Sequence, residues 1–292
     1  MHLTTLPRPF IVAVATDRSV ESTLATIQHA ADQGAHAIEL NLPAISDATD
    51  HELKQMLGES PIPVYTSCRR APFMGVYGFR DGEVPVWADE ERMERQLAAL
   101  HFGSRAIDME MDTFDPHPAP PIGSAEASPF ASEPGEPAEL TDDPVAIACQ
   151  REIINEAHTA GAEVILSCHT ARPQSVEQLL AIGKRAVERG GDLLKIVTPC
   201  RNAADLLALL QATVEMKQCL PIPFILVGGG QAGLISRSIG VNFGSSWIIA
   251  QVERTPDGFP DQPLVREVVE MTRLLPWRVE KLPCPARERG WG

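Results

Sequence analysis

Apolar runs of strand length alternate with amphipathic segments of helix length along most of the chain. Phe10–Ala15 is the first run, and behind it Val20, Leu24, Ile27 and Ala31 recur at the i, i+4, i+7, i+11 spacing that turns one stripe of a helix toward a core. Further strands are predicted at Ala37–Leu42, Ile62–Thr66, Ala106–Met111, Glu163–His169, Asp192–Val197, Phe224–Gly228 and around Ser246–Gln251. Helices fill the intervals near 50–58, 89–102, 144–160, 175–189 and 202–218, with a short one from Gln231 and a last one near 263–274. Strands that are apolar throughout have no face suited to water, so the alternation implies a parallel sheet covered by helices. Eight such repeats predict an α/β fold, a single (β/α)8 TIM barrel over residues 1–281, in preference to an open doubly wound sheet. Residues 282–292, with Pro, Arg and Gly, are expected to form a loose tail.

One stretch breaks the pattern. Between Thr113 and Pro144 the chain carries eight prolines, and no Lys or Arg occurs between Arg105 and Arg151. A segment of that composition buries too little apolar surface to offset its ordering entropy, so 113–144 is expected to be a flexible, Pro- and acid-rich insertion after the fourth strand. It falls on the face where barrel active sites lie, either as a lid or as a tolerated surface insertion. The whole chain has 292 residues and a formal charge of −14, which argues against a general nucleic-acid or anionic-membrane binder. The longest apolar stretches, such as Pro221 to Gly230, fall well short of the ~20 residues needed to cross a bilayer. Met1 to Pro9 lacks the basic end and apolar run of a secretory leader. Cysteines at 68, 149, 168, 200, 219 and 284 form no CxxC pair and are expected as free thiols in a reducing cytoplasm. Neither nucleic acid nor membrane is expected as a partner, and a homodimer stays open as the assembly.

In a barrel of this kind chemistry belongs to the C-terminal strand ends, and few of those ends carry polar residues. The second strand holds Glu39 and Asn41; the third ends in Thr66-Ser67-Cys68-Arg69-Arg70; the fifth ends in Ser167-Cys168-His169-Thr170. The sixth has a lysine inside an apolar run, Leu193-Leu194-Lys195-Ile196-Val197. A charge there costs several kcal/mol without partners, so burial favours the neutral, nucleophilic amine. His169 on the adjacent strand, at a matching height, would set a base beside that amine, the pairing that carbonyl chemistry through an imine requires. Asp108, Glu110 and Asp112 alternate on the fourth strand and offer oxygen ligands, but nothing has zinc-like spacing, and no metal is expected.

These residues also resemble a family. Glu39 on the second strand, Arg69 after the third, Ser167-Cys168-His169, Gly191-Asp192-Leu193-Leu194-Lys195, Gly233-Leu234-Ile235-Ser236-Arg237 and Phe243-Gly244-Ser245 are similar to the pattern of type I 3-dehydroquinate dehydratase. The resemblance implies a cofactor-free Schiff-base lyase that dehydrates 3-dehydroquinate to 3-dehydroshikimate, in aromatic biosynthesis or quinate breakdown. Lys195 would form the imine and His169 would move the protons, with Glu110 as the acid that orients it. Arg237 would grip the substrate carboxylate, Glu39, Asn41 and Arg69 would stand around the ring hydroxyls, and Gln262 would lie on a loop closing over the substrate. The chain departs from the pattern in three places. Asn41 and Pro43 stand where the family has an arginine and an aspartate; Arg70-Ala71-Pro72-Phe73 replaces a segment with a glutamate and paired glycines; and Gly258 is nearest to an expected serine. Each lost partner is worth ~1–3 kcal/mol, enough together to shift the substrate. Two other readings stay open: a class I aldolase-type lyase on a phosphorylated or other keto substrate, held by Gly228-Gly229-Gly230 and Gly244-Ser245-Ser246, and a non-catalytic metabolite-binding barrel.

Overall fold

A computed structural model describes residues 1–118, 120, 138–254 and 261–281. Eight strands, β1 Phe10–Ala15, β2 Ala37–Asn41, β3 Val64–Ser67, β4 Ala106–Glu110, β5 Glu163–His169, β6 Leu193–Pro199, β7 Phe224–Gly229 and β8 Trp247–Ala250, pair in parallel in the order β7-β6-β5-β4-β3-β2-β1-β8. The ring closes between β7 and β8 by a short stitch: the Ser246 amide donates to the Phe224 carbonyl at 2.7 Å, and the Ser245 hydroxyl accepts from the Leu226 amide at 3.2 Å. The result is a nearly closed barrel. Around it run α1 Val20–Asp32, α2 Asp50–Leu57, α3 Ala71–Met74, α4 Asp89–His101, α5 Pro144–Thr159, α6 Val176–Arg189, α7 Ala203–Cys219, α8 Leu234–Phe243 and α9 Val265–Leu274. Among the described residues no helix is long and apolar enough to cross a membrane.

The eight predicted strands are all present, with ends moved by one or two residues. The third is the exception in kind, because the chain beyond Ser67 turns at once into the short α3 and a 3-10 turn, Gly75–Tyr77, that periodicity did not reveal. Helix starts follow local chemistry. Thr49 with Glu52 and Ser175 with Gln178 form capping boxes, and Asp143 and Asn202 cap α5 and α7 by accepting from the first free amides. Residues 119 and 121–137 of the Pro-rich stretch, Gly258 and the tail 282–292 lie outside the described residues. Both flanks of the stretch are anchored rather than loose: Thr113, Glu139 and Thr141 are buried, and Gln150 and Arg189 hold the carbonyls of Met111, Thr113 and Thr141. Composition concealed this, since it is backbone carbonyls there that find buried donors, on α5 and α6.

Along each strand, alternate residues face the helices or the barrel interior. The helix-facing set (Ile38, Leu40, Ile107, Met109, Val164, Leu166, Leu194 and Ile196 among others) builds two apolar layers. The interior is graded along its axis. Near the N-terminal strand ends it is apolar, with Phe10 stacked on Trp247 at 5.3 Å and Ala37, Ala106, Ile165, Leu193 and Ile225 around them. One inward step further, Glu39, Asp108, Ser167 and Lys195 replace them. Leu3 closes the bottom, its amide donating to Glu163 at 2.6 Å. The start of α8 is pressed against the end of β7, so that a Cβ on Gly233 would lie 2.6 Å from the Gly228 carbonyl carbon. Gly233→Ala is therefore expected to cost about 1–3 kcal/mol through overpacking of backbone on backbone, read as a fall in the urea unfolding midpoint.

Candidate active site

Lys195 lies in mid-strand on β6, opposite Ser167 of β5 and Ile225 of β7, and points into the barrel with 3% of its surface exposed. It is not the unpartnered amine that its apolar flanks suggested. Its Nζ sits 2.7 Å from Asp108 Oδ2 and 3.3 Å from both oxygens of Glu39. Arg69 completes the group: its guanidinium donates to Asp108 Oδ2 at 2.7 Å and to Ser167 Oγ at 3.0 Å, and meets Glu110 Oε1 at 3.1 Å. Ser167 donates to the other Asp108 oxygen at 2.6 Å, and the Tyr65 hydroxyl donates to Glu39 at 2.8 Å. Burial alone would raise the Glu39 and Glu110 carboxyls. Lys195 and Arg69 overrule it at Glu39, and Arg92, Arg69 and Arg70 overrule it at Glu110, so both are held below the usual carboxylate range.

His169 ends β5 in register with Val197, two residues beyond Lys195, so the two are not at matching heights as expected. They are one inward step apart and open into the same cavity. The acid that holds the ring is not Glu110. That carboxylate is taken by Arg92 of α4 and by Arg69, and His169 Nδ1 instead meets Glu139 Oε2 at 2.5 Å. Phe73 packs its ring against His169 at 4.8 Å, where the family pattern has its glutamate-bearing segment.

The shared cavity encloses about 280 Å³. Lys195 and Glu39 form its floor, His169, Phe73 and Tyr77 one side, Val197, Val227 and Ile249 an apolar wall, and Arg237 and Gln262 its far side. Arg237 comes from the first turns of α8, is 5% exposed and faces Asp261 and Tyr77, while the Gln262 carbonyl oxygen has no hydrogen-bond partner among the described residues. Of the residues expected at the substrate, Glu39, His169, Lys195, Arg237 and Gln262 line this cavity. Two do not. Arg69 is locked beneath it by carboxylates, and Asn41 is fully buried off the cavity, its amide atoms without a hydrogen-bond partner among the described residues. The three strand-four acids once weighed as metal ligands are matched to guanidiniums, Asp108 and Glu110 to Arg69 and Asp112 to Arg70.

Among the described residues no phosphate cradle is formed. The Gly228 amide donates to Ser236 Oγ at 2.8 Å and the Gly230 amide to the Asp261 carboxylate at 3.1 Å, a poor neighbour for an anion. Ser245 and Ser246 lie at the opposite end of the barrel, where they stitch β7 to β8. Sequence reasoning missed Glu139, Phe73 and the part played by Asp108. Only Asp108 left a trace, in the alternation of acids along β4.

The site and its barrel have known relatives. The family model for type I 3-dehydroquinase matches residues 137–276, which carry β5 to β8 with His169, Lys195, Arg237 and Gln262. A 3-dehydroquinate dehydratase of Alkaliphilus oremlandii is 33% identical over 125 residues, 42% of this chain and 48% of that protein; one of Geobacillus thermodenitrificans is 31% identical over 136 residues, 42% of this chain and 51% of that protein. The matches thus span about half the length of these curated relatives. Crystal structures of the 3-dehydroquinate dehydratases of Clostridium difficile and Geobacillus kaustophilus each superpose with a TM-score of 0.70, over 92% and 94% of this chain and 93% and 96% of theirs, at 22% and 20% identity, which speaks to the fold. The fold and site define a (β/α)8 barrel with a lysine and a histidine at one cavity. In its second half, residues 137–276, the chain is similar to the type I 3-dehydroquinase family.

Two expectations follow for stability. Arg69→Met leaves the buried carboxylates Asp108 and Glu110 with one cation each, Lys195 and Arg92, and should lower unfolding free energy by about 3–5 kcal/mol in denaturant titrations. Because Glu39 and Glu110 are depressed below their ordinary value of 4.5, their contribution is complete above that pH and is lost as pH falls through the lower folded values. The thermal midpoint should therefore fall steadily below pH 4.5, and Glu110→Gln should give a lower midpoint that falls less steeply with acid.

Proposed function

We propose that the chain is a Schiff-base-forming lyase that dehydrates 3-dehydroquinate to 3-dehydroshikimate, a small-molecule activity of a reducing cytoplasm. The observation that carries this reading is the opening of Lys195 and His169 into one cavity of about 280 Å³ with Arg237 across it. Lys195 Nζ adds to the ring ketone and water leaves as the iminium forms. Asp108, 2.7 Å from Nζ, is placed to accept the proton the ammonium sheds before attack and to balance the cation afterwards. The iminium draws electrons from the neighbouring C–H bond, and His169 takes that proton. The enamine then expels the β-hydroxyl, which leaves as water with the proton returned by the imidazolium. Hydrolysis of the product imine frees Lys195. Arg237, a planar cation at the far wall, suits a substrate carboxylate.

The occupied glycine amides beside Asp261 weigh against a phosphorylated substrate. The apolar lining by Phe73, Val197, Val227 and Ile249 leaves fewer partners for ring hydroxyls than the family pattern supplies. Borohydride with 3-dehydroquinate should add substrate mass to a peptide containing Lys195, and Lys195→Ala should abolish the adduct. His169→Ala should slow turnover about 10²–10⁴-fold while still allowing it. Arg237→Ala should raise KM for the acid far more than it lowers kcat. Trapping only with a phosphosugar, or with no keto compound at all, would overturn the proposal.

A further inference from the structure

We infer that Glu139 is the positioning residue that sets the proton on the His169 ring; this rests on the imine-lyase reading of the same cavity. Residue 139 is tied to residue 169 at three points. One carboxylate oxygen of Glu139 meets His169 Nδ1 at 2.5 Å and accepts the His169 backbone amide at 3.0 Å, and the Glu139 amide donates to the His169 carbonyl at 2.8 Å. Its neighbours are tied as well: Ala138 bridges to Thr170 antiparallel and Leu140 to Met111 in parallel. Both side chains are buried, Glu139 at 4% and His169 at 6% exposure, so water does not compete for the bond.

The chemical consequence concerns which nitrogen is free. A carboxylate fixed at Nδ1 holds the ring proton there and leaves the Nε2 lone pair as the basic site. Once Nε2 has taken a proton from substrate, the same carboxylate offsets the imidazolium charge. An imidazole free to choose its tautomer or to rotate would meet the substrate with the wrong nitrogen for part of the time. Two other places could have supplied this acid, and neither does. Glu110 on β4 is bound by Arg92 and Arg69, and the loop after β3 presents Phe73, which packs on the ring without accepting its proton. The anionic partner instead comes from the segment that re-enters the barrel after the Pro-rich stretch, which makes its far end part of the working site.

The test compares wild type with Glu139→Gln and Glu139→Asp by 15N spectra of the histidine ring, steady-state kinetics on 3-dehydroquinate and borohydride trapping. In wild type the His169 ring should show one tautomer, protonated at Nδ1. In Glu139→Gln that signature should give way to a mixture, kcat should fall about 10²-fold or more with KM within a few-fold, and the Lys195 adduct should still form. Glu139→Asp should recover part of kcat and part of the signature, and it carries the same readouts if the Gln variant does not fold. An unchanged ring spectrum and kcat in a folded variant, or parallel loss of trapping and turnover, would overturn the inference. If wild type does not turn over 3-dehydroquinate, the kinetic arm counts against the lyase reading, while the ring spectra still decide the role of Glu139.

Discussion

The interior of this barrel depends on a buried ion cluster in which Asp108 is shared by Lys195 and Arg69, each 2.7 Å from the same carboxylate oxygen. None of these charges could be left in the barrel alone, because desolvation would cost each several kcal/mol without its partners. Glu39 closes the cluster from β2 and Glu110 from β4, so that cations and anions arrive from β2, β4, β6 and the turn after β3 at one level of the barrel. Removing one member leaves the others short of a partner at this level, which is also the floor of the cavity. The same pairing holds the Lys195 amine upright beneath the cavity, with the Asp108 carboxylate in contact.

What sits above that floor follows from the grading of the inner strand faces. Phe10, Trp247 and Leu3 plug the bottom, the ion cluster fills the middle, and only the upper step opens into usable space. His169 occupies that upper step, one inward position beyond Ser167, and is steadied by Phe73 on its face and by Glu139 on its edge. The short α3, the close approach of α8 to β7 and the return of the chain at Glu139 each carry one wall of the site. The barrel supplies the amine and its charge balance; the segments beyond the strand ends supply orientation.

Much of this was legible in the residues, and the limits are physical. Eight apolar runs with helical stripes between them specify a covered parallel sheet, and a lysine within such a run has few destinations other than the barrel interior. Arg237 and Gln262 were expected there only through the family resemblance, and both line the cavity. Arg69 and Glu110 could not be assigned, because a guanidinium chooses among several carboxylates by distance, and Arg92, from the first turn of α4, enters that choice without any sequence signal. Glu139 was hidden for a related reason. It is 30 residues from His169 and follows a Pro-rich stretch whose composition suggests solvent, yet a few backbone bonds dock it onto β5.

The most direct measurement is a crystal structure of the protein after borohydride reduction in the presence of 3-dehydroquinate. Continuous density from Lys195 Nζ to the former carbonyl carbon is expected, with His169 Nε2 within hydrogen-bonding reach of the neighbouring carbon and the carboxylate against Arg237. An adduct on another lysine, or one on Lys195 whose reacting carbon lies out of reach of His169, would contradict the shared roles of this amine and this imidazole.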